Sequence, residues 1–275
     1  MKINNNIAIL LATYNGEHYL AEQIDSILRQ SFTDWRLYIH DDGSTDRTLD
    51  IIKKYSKDHP KNIYHLDDGV IFKNPQGNFL HLLNSVQADW YLFCDQDDFW
   101  VENKISSLVD SLKSDPNTTI PSLAFSDASI VDQSLSLIHP SLLRNNRTYA
   151  NLEIMKRNLI FRNCVTGCTM MINNSAKNMT LKYPSKNIVM HDWWLALVVL
   201  FSNGKFIFID KPLVLYRQHD LNLIGASNDS LSRFFSIDIY RNLLNKYHMI
   251  RMFYPNLSFL KYSSLLIRFL IRSKF

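Results

Sequence analysis

The stretch Trp90-Tyr91-Leu92-Phe93-Cys94-Asp95-Gln96-Asp97-Asp98-Phe99-Trp100 constrains the fold more than any other. Its aromatic and apolar opening suits a strand buried on at least one face. Three carboxylates cannot continue inside such a strand, because an unpaired buried charge costs on the order of several kcal/mol or more. The strand therefore ends at Cys94, and the acids stand at its carboxyl end, the edge where open α/β sheets bind ligands. Asp95 and Asp97, in Asp-x-Asp spacing, are hard oxygen donors suited to Mg²⁺ or Mn²⁺ shared with phosphate oxygens. A solvated acidic loop ahead of the next helix is the competing reading, since acids favour a helix N-terminus.

The flanking pattern supplies the rest of a sheet. Strand-like runs occupy Ile7 to Thr13, Trp35 to His40 and Ile63 to Leu66. Between them, apolar residues recur at helical spacing over 16–30 (Leu20, Ile24, Ile27, Leu28), 45–57 (Leu49, Ile52) and 77–86 (Phe79, Leu82, Leu83). Ile105, Leu108, Val109 and Leu112 mark a further helix. Alternation of this kind predicts an α/β fold with a mostly parallel sheet sandwiched by helices. The second half is less regular. Strands are expected over 123–131 and 165–172, a helix over 191–201, and two short strands over 205–209 and 213–216 around Pro212. A loop is expected from Pro140 to Tyr149, carrying Arg144 and Arg147.

The 275 residues suffice for one large domain, with or without an appendage. A net charge of +4 without a dense basic stripe argues against nucleic acid as a partner. Three cysteines, Cys94, Cys164 and Cys168, argue against a disulfide framework and for a reducing compartment. The apolar run Ile7 to Ala12 is short and leads into Thr13-Tyr14-Asn15, so it reads as a first strand rather than a secretory segment. With no run long enough to span a bilayer, a cytoplasmic protein is expected. The pattern changes after Gly225, so 1–225 reads as the main domain and 226–275 as a helical extension. On a helix over Leu257 to Phe275, Lys261, Arg268 and Arg272 share one narrow face, and Leu, Ile and Phe fill much of the rest. That suits an anionic membrane surface, at the inner face of the plasma membrane. Packing on the core or on a second subunit, as in a homodimer, is the alternative.

Two other strand ends are chemically suggestive. Thr13-Tyr14-Asn15-Gly16-Glu17 offers a hydroxyl, an aromatic ring and an amide to a nucleobase and ribose. Asp41-Asp42-Gly43-Ser44-Thr45-Asp46 offers an acid that can accept the imide N–H of uracil or thymine. The second also reads as an ordinary turn and helix cap. Ala12-Thr13-Tyr14-Asn15-Gly16, Asp41 to Asp46 and Asp95-Gln96-Asp97-Asp98 resemble the three N-terminal signatures of the family-2 inverting glycosyltransferases, in the same order and at the same spacing. His191-Asp192-Trp193-Trp194 resembles the downstream acidic motif of that family. Tyr216-Arg217-Gln218-His219 followed by Asn222 is similar to the C-terminal motif of its rhamnosyltransferase-like branch.

The resemblance runs from about residue 7 to 225 and implies a GT-A fold, a dTDP- or UDP-linked sugar donor and Mg²⁺ or Mn²⁺. It implies that Asp42 contacts the pyrimidine with Tyr14 near it, and that Thr13, Asn15 and Glu17 belong to the same nucleotide-sugar site. It places Asp95 and Gln96 by the ribose or sugar, Asp97 on the metal, and His219 by the metal or diphosphate. Asp192 becomes the catalytic base, and the indoles of Trp193 and Trp194 become faces for a sugar acceptor. Asn74-Pro75-Gln76-Gly77-Asn78 departs from the Gly-Pro that some relatives carry, and 226–275 matches nothing in the family. The leading expectation is transfer of L-rhamnose from dTDP-rhamnose to a hydroxyl of a cell-surface polysaccharide or lipid-linked glycan precursor. The alternatives are transfer of another hexose from a UDP-sugar, or a silent module that binds a nucleotide or glycan. A nucleotidyltransferase is disfavoured, because Thr13 to Glu17 holds one Gly and no Lys or Arg.

Overall fold

The computed structural model describes residues 6–112, 119–146, 151–183, 188–219 and 237–272, the side chains of 237–242 and 272 excepted. β1 (Ile7–Thr13) lies between β2 (Trp35–Asp41) and β4 (Trp90–Cys94), parallel to both, and β3 (Ile63–His65) adds parallel to β2. Helices α1 (Leu20–Leu28), α2 (Thr48–Asp58) and α3 (Pro75–Ser85) make the crossovers. Register brings the strand ends together: Thr13 faces Asp41, and Leu11 faces Cys94. The segments 14–17, 42–46 and 95–98 therefore leave one edge side by side.

The expected parallel α/β sheet holds through β4, and beyond β4 the sheet is mixed. The order is β3-β2-β1-β4-β8-β6-β9-β5, with β7 also on β6. β8 (Met170–Asn173) runs antiparallel to β4 and to β6 (Ser122–Val131). β9 (Lys205–Arg217) is parallel to β6, while β5 (Phe99–Trp100) and β7 (Leu137–His139) pair antiparallel. Residue pattern reports burial, not direction. All ten residues of β6 are buried, so it reads like an interior parallel strand.

Other boundaries moved for local reasons. α1 begins at Leu20, not Gly16, because Asn15 adopts φ 47° and the Gly16 carbonyl accepts the Tyr19 and Leu20 N–H groups. Asn74 caps α3 by accepting the Gly77 N–H, with Pro75 at its first position. The strand expected over 165–172 is reduced to β8. Gly167–Thr169 is instead a 3-10 turn, with the Gly167 N–H donated to Asp192. Around Pro212, β9 is one strand rather than two; its register with β6 shifts where Asp127 faces Pro212, a bulge that absorbs the missing N–H. In the expected loop from Pro140, residues Leu142–Asn145 form α5, while Arg147 and Tyr149 lie outside the described residues.

Alternate residues of β1 feed two cores. Ile7, Ile9 and Leu11 pack with α1, α2 and α4 (Lys104–Leu112). Ala8 and Leu10 pack on the other side with α3 and α8 (His191–Phe201). α6 (Leu152–Asn158) and α7 (Asn174–Leu181) add Met155 and Ala176 to that second core. α9 (Ile237–Arg251) and α10 (Phe259–Arg272) contribute Met249, Ile250 and Tyr262 to it as well. The described part of the extension thus shares the main core; the expected boundary at 225, and Asn222 with it, lies outside the described residues. Among the described residues, no helix is long and apolar enough to cross a membrane.

Candidate active site

The loops after β1 and β2 are woven together by the residues that the sequence singles out. Thr13 Oγ1 donates to Asp41 Oδ1 at 2.9 Å. The Asn15 N–H donates to Ser44 Oγ, and Asn15 Oδ1 accepts the Thr45 N–H, each at 2.8 Å. The Glu17 carboxylate accepts the Arg47 N–H at 3.0 Å. Gln96 grips both backbone groups of Tyr14, accepting its N–H at 2.8 Å and donating to its carbonyl at 2.9 Å. Gly16 leaves room for that grip, since a Cβ there would fall 2.4 Å from Gln96 Oε1 and push the amide away. Thr13, Asn15, Glu17 and Gln96 therefore fix the edge, while the Tyr14 side chain is 55% exposed above it. Asp42 is 4% exposed and accepts the N–H groups of Phe72 (2.5 Å) and Asn74 (2.9 Å). It shapes the wall formed by 66–74 rather than presenting an open carboxylate.

The acids after β4 form a tight group. Ligating atoms of Asp95, Asp98 and Cys168 lie within 4.8 Å of one another. Burial holds the Asp95 carboxyl well above the usual carboxylate range, and Asp98, Asp97 and Asp192 add to the effect. Burial and then Asp97 push Asp98 up to about 7. Asp98 Oδ1 accepts the Arg217 N–H at 3.3 Å, but buried Oδ2 meets no N–H or hydroxyl donor among the described residues, only the Cys168 thiol standing near. Asp97 Oδ2 pairs with His219 Nε2 at 2.9 Å. A set of crowded carboxylates, one buried oxygen with only a weak thiol donor beside it and one imidazole fits a hard divalent cation. The Cys168 thiol, held well above its ordinary range by burial, stays neutral and adds no thiolate.

Sequence reasoning missed three residues of this site. Asp98 was visible only as part of the acidic tetrad. Lys104 is fully buried under the acids, donates to the Cys168 carbonyl at 2.5 Å and lies 3.2 Å from the Trp100 ring centroid. Burial pulls it down to about 8. The available signal was its helical spacing four before Leu108. Arg217, also buried, is the tie. It donates to the carbonyls of Asp97 (2.9 Å) and Gln133 and pairs with Glu22, over the Tyr19 ring at 4.6 Å.

Asp192 stands in the first turn of α8, 5% exposed. Its oxygens accept the N–H groups of Gly167 (3.0 Å) and Trp193 (2.6 Å). Burial pushes it up to about 6, against those bonds and one from the Asn163 side chain. Trp193 and Trp194 do not join it. Trp193 Nε1 donates to the Leu159 carbonyl at 2.6 Å, and Trp194 packs between Tyr183 and Phe253. Both indoles are core, because α8 is buried on every side over His191 to Val199 and leaves no face for an acceptor.

This geometry can be set beside known proteins. Residues 8–180 match the family described as Glycosyl transferase family 2. The chain belongs to that family. It is 30% identical over 241 residues to the dTDP-rhamnosyl transferase RfbG of Shigella flexneri, covering 84% of this chain and 79% of that one. It is 24% identical over 198 residues to the UDP-Glc:alpha-D-GlcNAc-diphosphoundecaprenol beta-1,3-glucosyltransferase WfgD of Escherichia coli, covering 72% and 71%. In fold it is similar to S. aureus TarS 1-349 in complex with UDP-GlcNAc (TM-score 0.60, 17% identity, 96% of this chain and 71% of that one). It is also similar to the mannosyltransferase PcManGT of Pyrobaculum calidifontis in complex with GDP-Man and Mn²⁺ (TM-score 0.59, 13% identity, 100% and 82%). The fold is GT-A, and this family 2 glycosyltransferase is an enzyme that takes a nucleotide-sugar donor.

Proposed function

We propose that this glycosyltransferase moves L-rhamnose from dTDP-L-rhamnose, with inversion, to a hydroxyl of a cell-surface polysaccharide or lipid-linked glycan precursor. The observation that carries the mechanism is Asp192, a buried carboxyl at about 6, held within electrostatic reach of Asp95 at the acidic edge. In a single displacement the acceptor oxygen bonds to the anomeric carbon as the bond to the diphosphate oxygen breaks. Asp192 takes the acceptor proton, and the nucleoside diphosphate leaves with the bond pair. A group near 6 is ionised at neutral pH yet basic enough to accept that proton. Asp95, Asp97 and Asp98, with His219, would hold Mg²⁺ or Mn²⁺, which when bound supplies Lewis-acid help to the departing diphosphate. Tyr14 offers its exposed ring to the base, and Asp42 keeps the 66–74 wall in place. The rhamnosyl reading is supported by the similarity to RfbG. Similarity to WfgD supports the alternative of a hexose from a UDP-sugar. Screening purified protein against dTDP-L-rhamnose and UDP-hexoses, with the released nucleotide identified by mass spectrometry, tests the choice. Release of UDP and no release of dTDP would replace the rhamnosyl reading with the hexosyl one.

We further propose that α10 rests on an anionic membrane surface where a lipid-linked acceptor would be found. Leu260, Ile267 and Ile271 lie on one exposed stripe (81%, 57% and 57% exposed), with Lys261 and Arg268 one position on from the first two. The Arg272 side chain lies outside the described residues. The same stripe would serve a homodimer contact, which the vesicle experiment below separates.

A further inference from the structure

A second group of ligating side chains lies away from the acidic edge: His40 at the end of β2, Asp68 in the segment after β3, and His81 on α3. Their nitrogen and oxygen atoms lie within 4.8 Å of one another. The Asn78 amide selects the His40 tautomer. Asn78 Nδ2 donates to the carbonyls of His40 (3.2 Å) and Thr13 (3.5 Å), which orients the amide and turns Oδ1 toward His40 Nδ1 at 2.7 Å. Nδ1 must therefore carry the hydrogen. In the neutral ring, Nε2 is then a bare lone pair, and it points at Asp68 Oδ1, also an acceptor, at 3.3 Å. Two acceptors aimed at each other in a ring that is 1% exposed need a positive centre between them. His81 Nε2 addresses the other oxygen, Asp68 Oδ2, at 2.6 Å.

We propose that His40 Nε2, His81 Nε2 and Asp68 form a binding site for a transition-metal dication of the zinc class, separate from the Asp95–Asp98 group. Two imidazoles and one carboxylate favour such an ion over Mg²⁺ or Ca²⁺, and water completes a tetrahedron. Zinc–ligand bonds of about 2.1 Å give ligand–ligand edges of about 3.4 Å. The His40–Asp68 distance already has that value. The His81–Asp68 contact opens by a turn of the Asp68 side chain, which is 39% exposed and sits on a loop. The Asn78 amide plays the outer part, since a ligating histidine commonly gives its other N–H to an oxygen acceptor. The Phe72 ring, 6.2 Å from the His40 ring and 5.2 Å from that of His81, shields the group. The bound ion fastens the wall formed by 66–74 to β2 and α3. This inference does not rest on which donor the enzyme uses.

The experiment uses the metal-stripped full chain, zinc chloride alone, and elemental analysis after dialysis. Wild type and Asp97→Asn should each retain one tightly held equivalent of Zn²⁺. His81→Ala should bind that equivalent about tenfold or more weakly. At equal zinc concentration the Tm of the wild type should rise by more than that of His81→Ala. His81→Gln, which keeps an amide for Asp68 but is a far poorer ligand, is the second variant should alanine disturb folding; circular dichroism in EDTA checks this. Equal zinc retention by wild type and both His81 variants overturns the proposal. So does a wild type that retains none, which leaves a protonated histidine as the positive centre.

Discussion

His219 Nε2 meets Asp97 Oδ2 at 2.9 Å across 122 positions of sequence, so the end of β9 closes on the loop that follows β4. In the proposed metal centre these two groups share the cation. Asp97→Ala should lose nearly all transfer, and His219→Ala should need about 10- to 100-fold more Mn²⁺ for half-maximal rate. Full turnover of wild type in excess EDTA would remove the metal from the mechanism.

Asp192→Asn should lower kcat by roughly 10²–10⁴-fold while nucleotide affinity stays close to wild type; the single amide oxygen keeps one of the two buried N–H contacts and loses the other, which costs about 1–3 kcal/mol of stability. The wild-type pH profile should rise through about 6 as Asp192 ionises. An acid limb that persists unchanged in Asp192→Asn would assign it to another group. The stability sign runs the other way. A carboxyl raised from 3.8 to about 6 on folding holds its proton longer in the native state, so its contribution is lost as pH rises through that interval. Urea midpoints of Asp192→Asn should fall less between pH 4 and 6 than those of wild type.

Arg217 joins Asp97, Asp98, Gln133 and Glu22 from inside the protein. Arg217→Met leaves two carbonyls without their buried donor, whereas Glu22, about half exposed, is re-solvated. A loss on the order of 3 kcal/mol is expected. Urea unfolding reads it, and a change under about 0.5 kcal/mol would show that the tie is dispensable.

Paired Leu260→Ser and Ile267→Ser substitutions on α10 should weaken flotation with anionic vesicles and leave Tm unchanged. Loss of self-association in sedimentation, with vesicle binding intact, would move the stripe to a subunit contact. Cutting the chain near residue 227 is a poorer test, since it would strip Met249, Ile250 and Tyr262 from the main core.

The first four strands and their crossovers were legible because short apolar runs and polar endings agree there: Ile7 to Ala12 is apolar throughout, Thr13 pairs with Asp41, and Leu11 pairs with Cys94 just before the acids. Strand direction after β4 was not legible, since Ser122 to Val131 is buried throughout whichever way its neighbours run. The role of Asp42 was hidden for a different reason. A carboxylate that accepts two loop N–H groups has the same letter as one that meets a ligand. Trp193 and Trp194 were read as platforms beside Asp192, but a helix buried all round spends its aromatics on packing. Lys104 was passed over because a lysine in an apolar face reads as solvated until the buried acids near it are known.

The Gln96 amide meets Tyr14 as a neighbouring backbone would, one N–H taken and one carbonyl satisfied, just past the last paired residues of β1 and β4. A side chain thus adds a rung to the ladder where the strands themselves have stopped. That edge is consequently stiff, and a side chain at Gly16 would displace the Gln96 amide that makes the rung. Adaptation to a new sugar nucleotide has little room there. It has more at Asp67, Val70 and Ile71, whose side chains are exposed, so a library randomised over those three positions should yield folded enzymes with altered donor choice more often than one aimed at Tyr14 to Gly16.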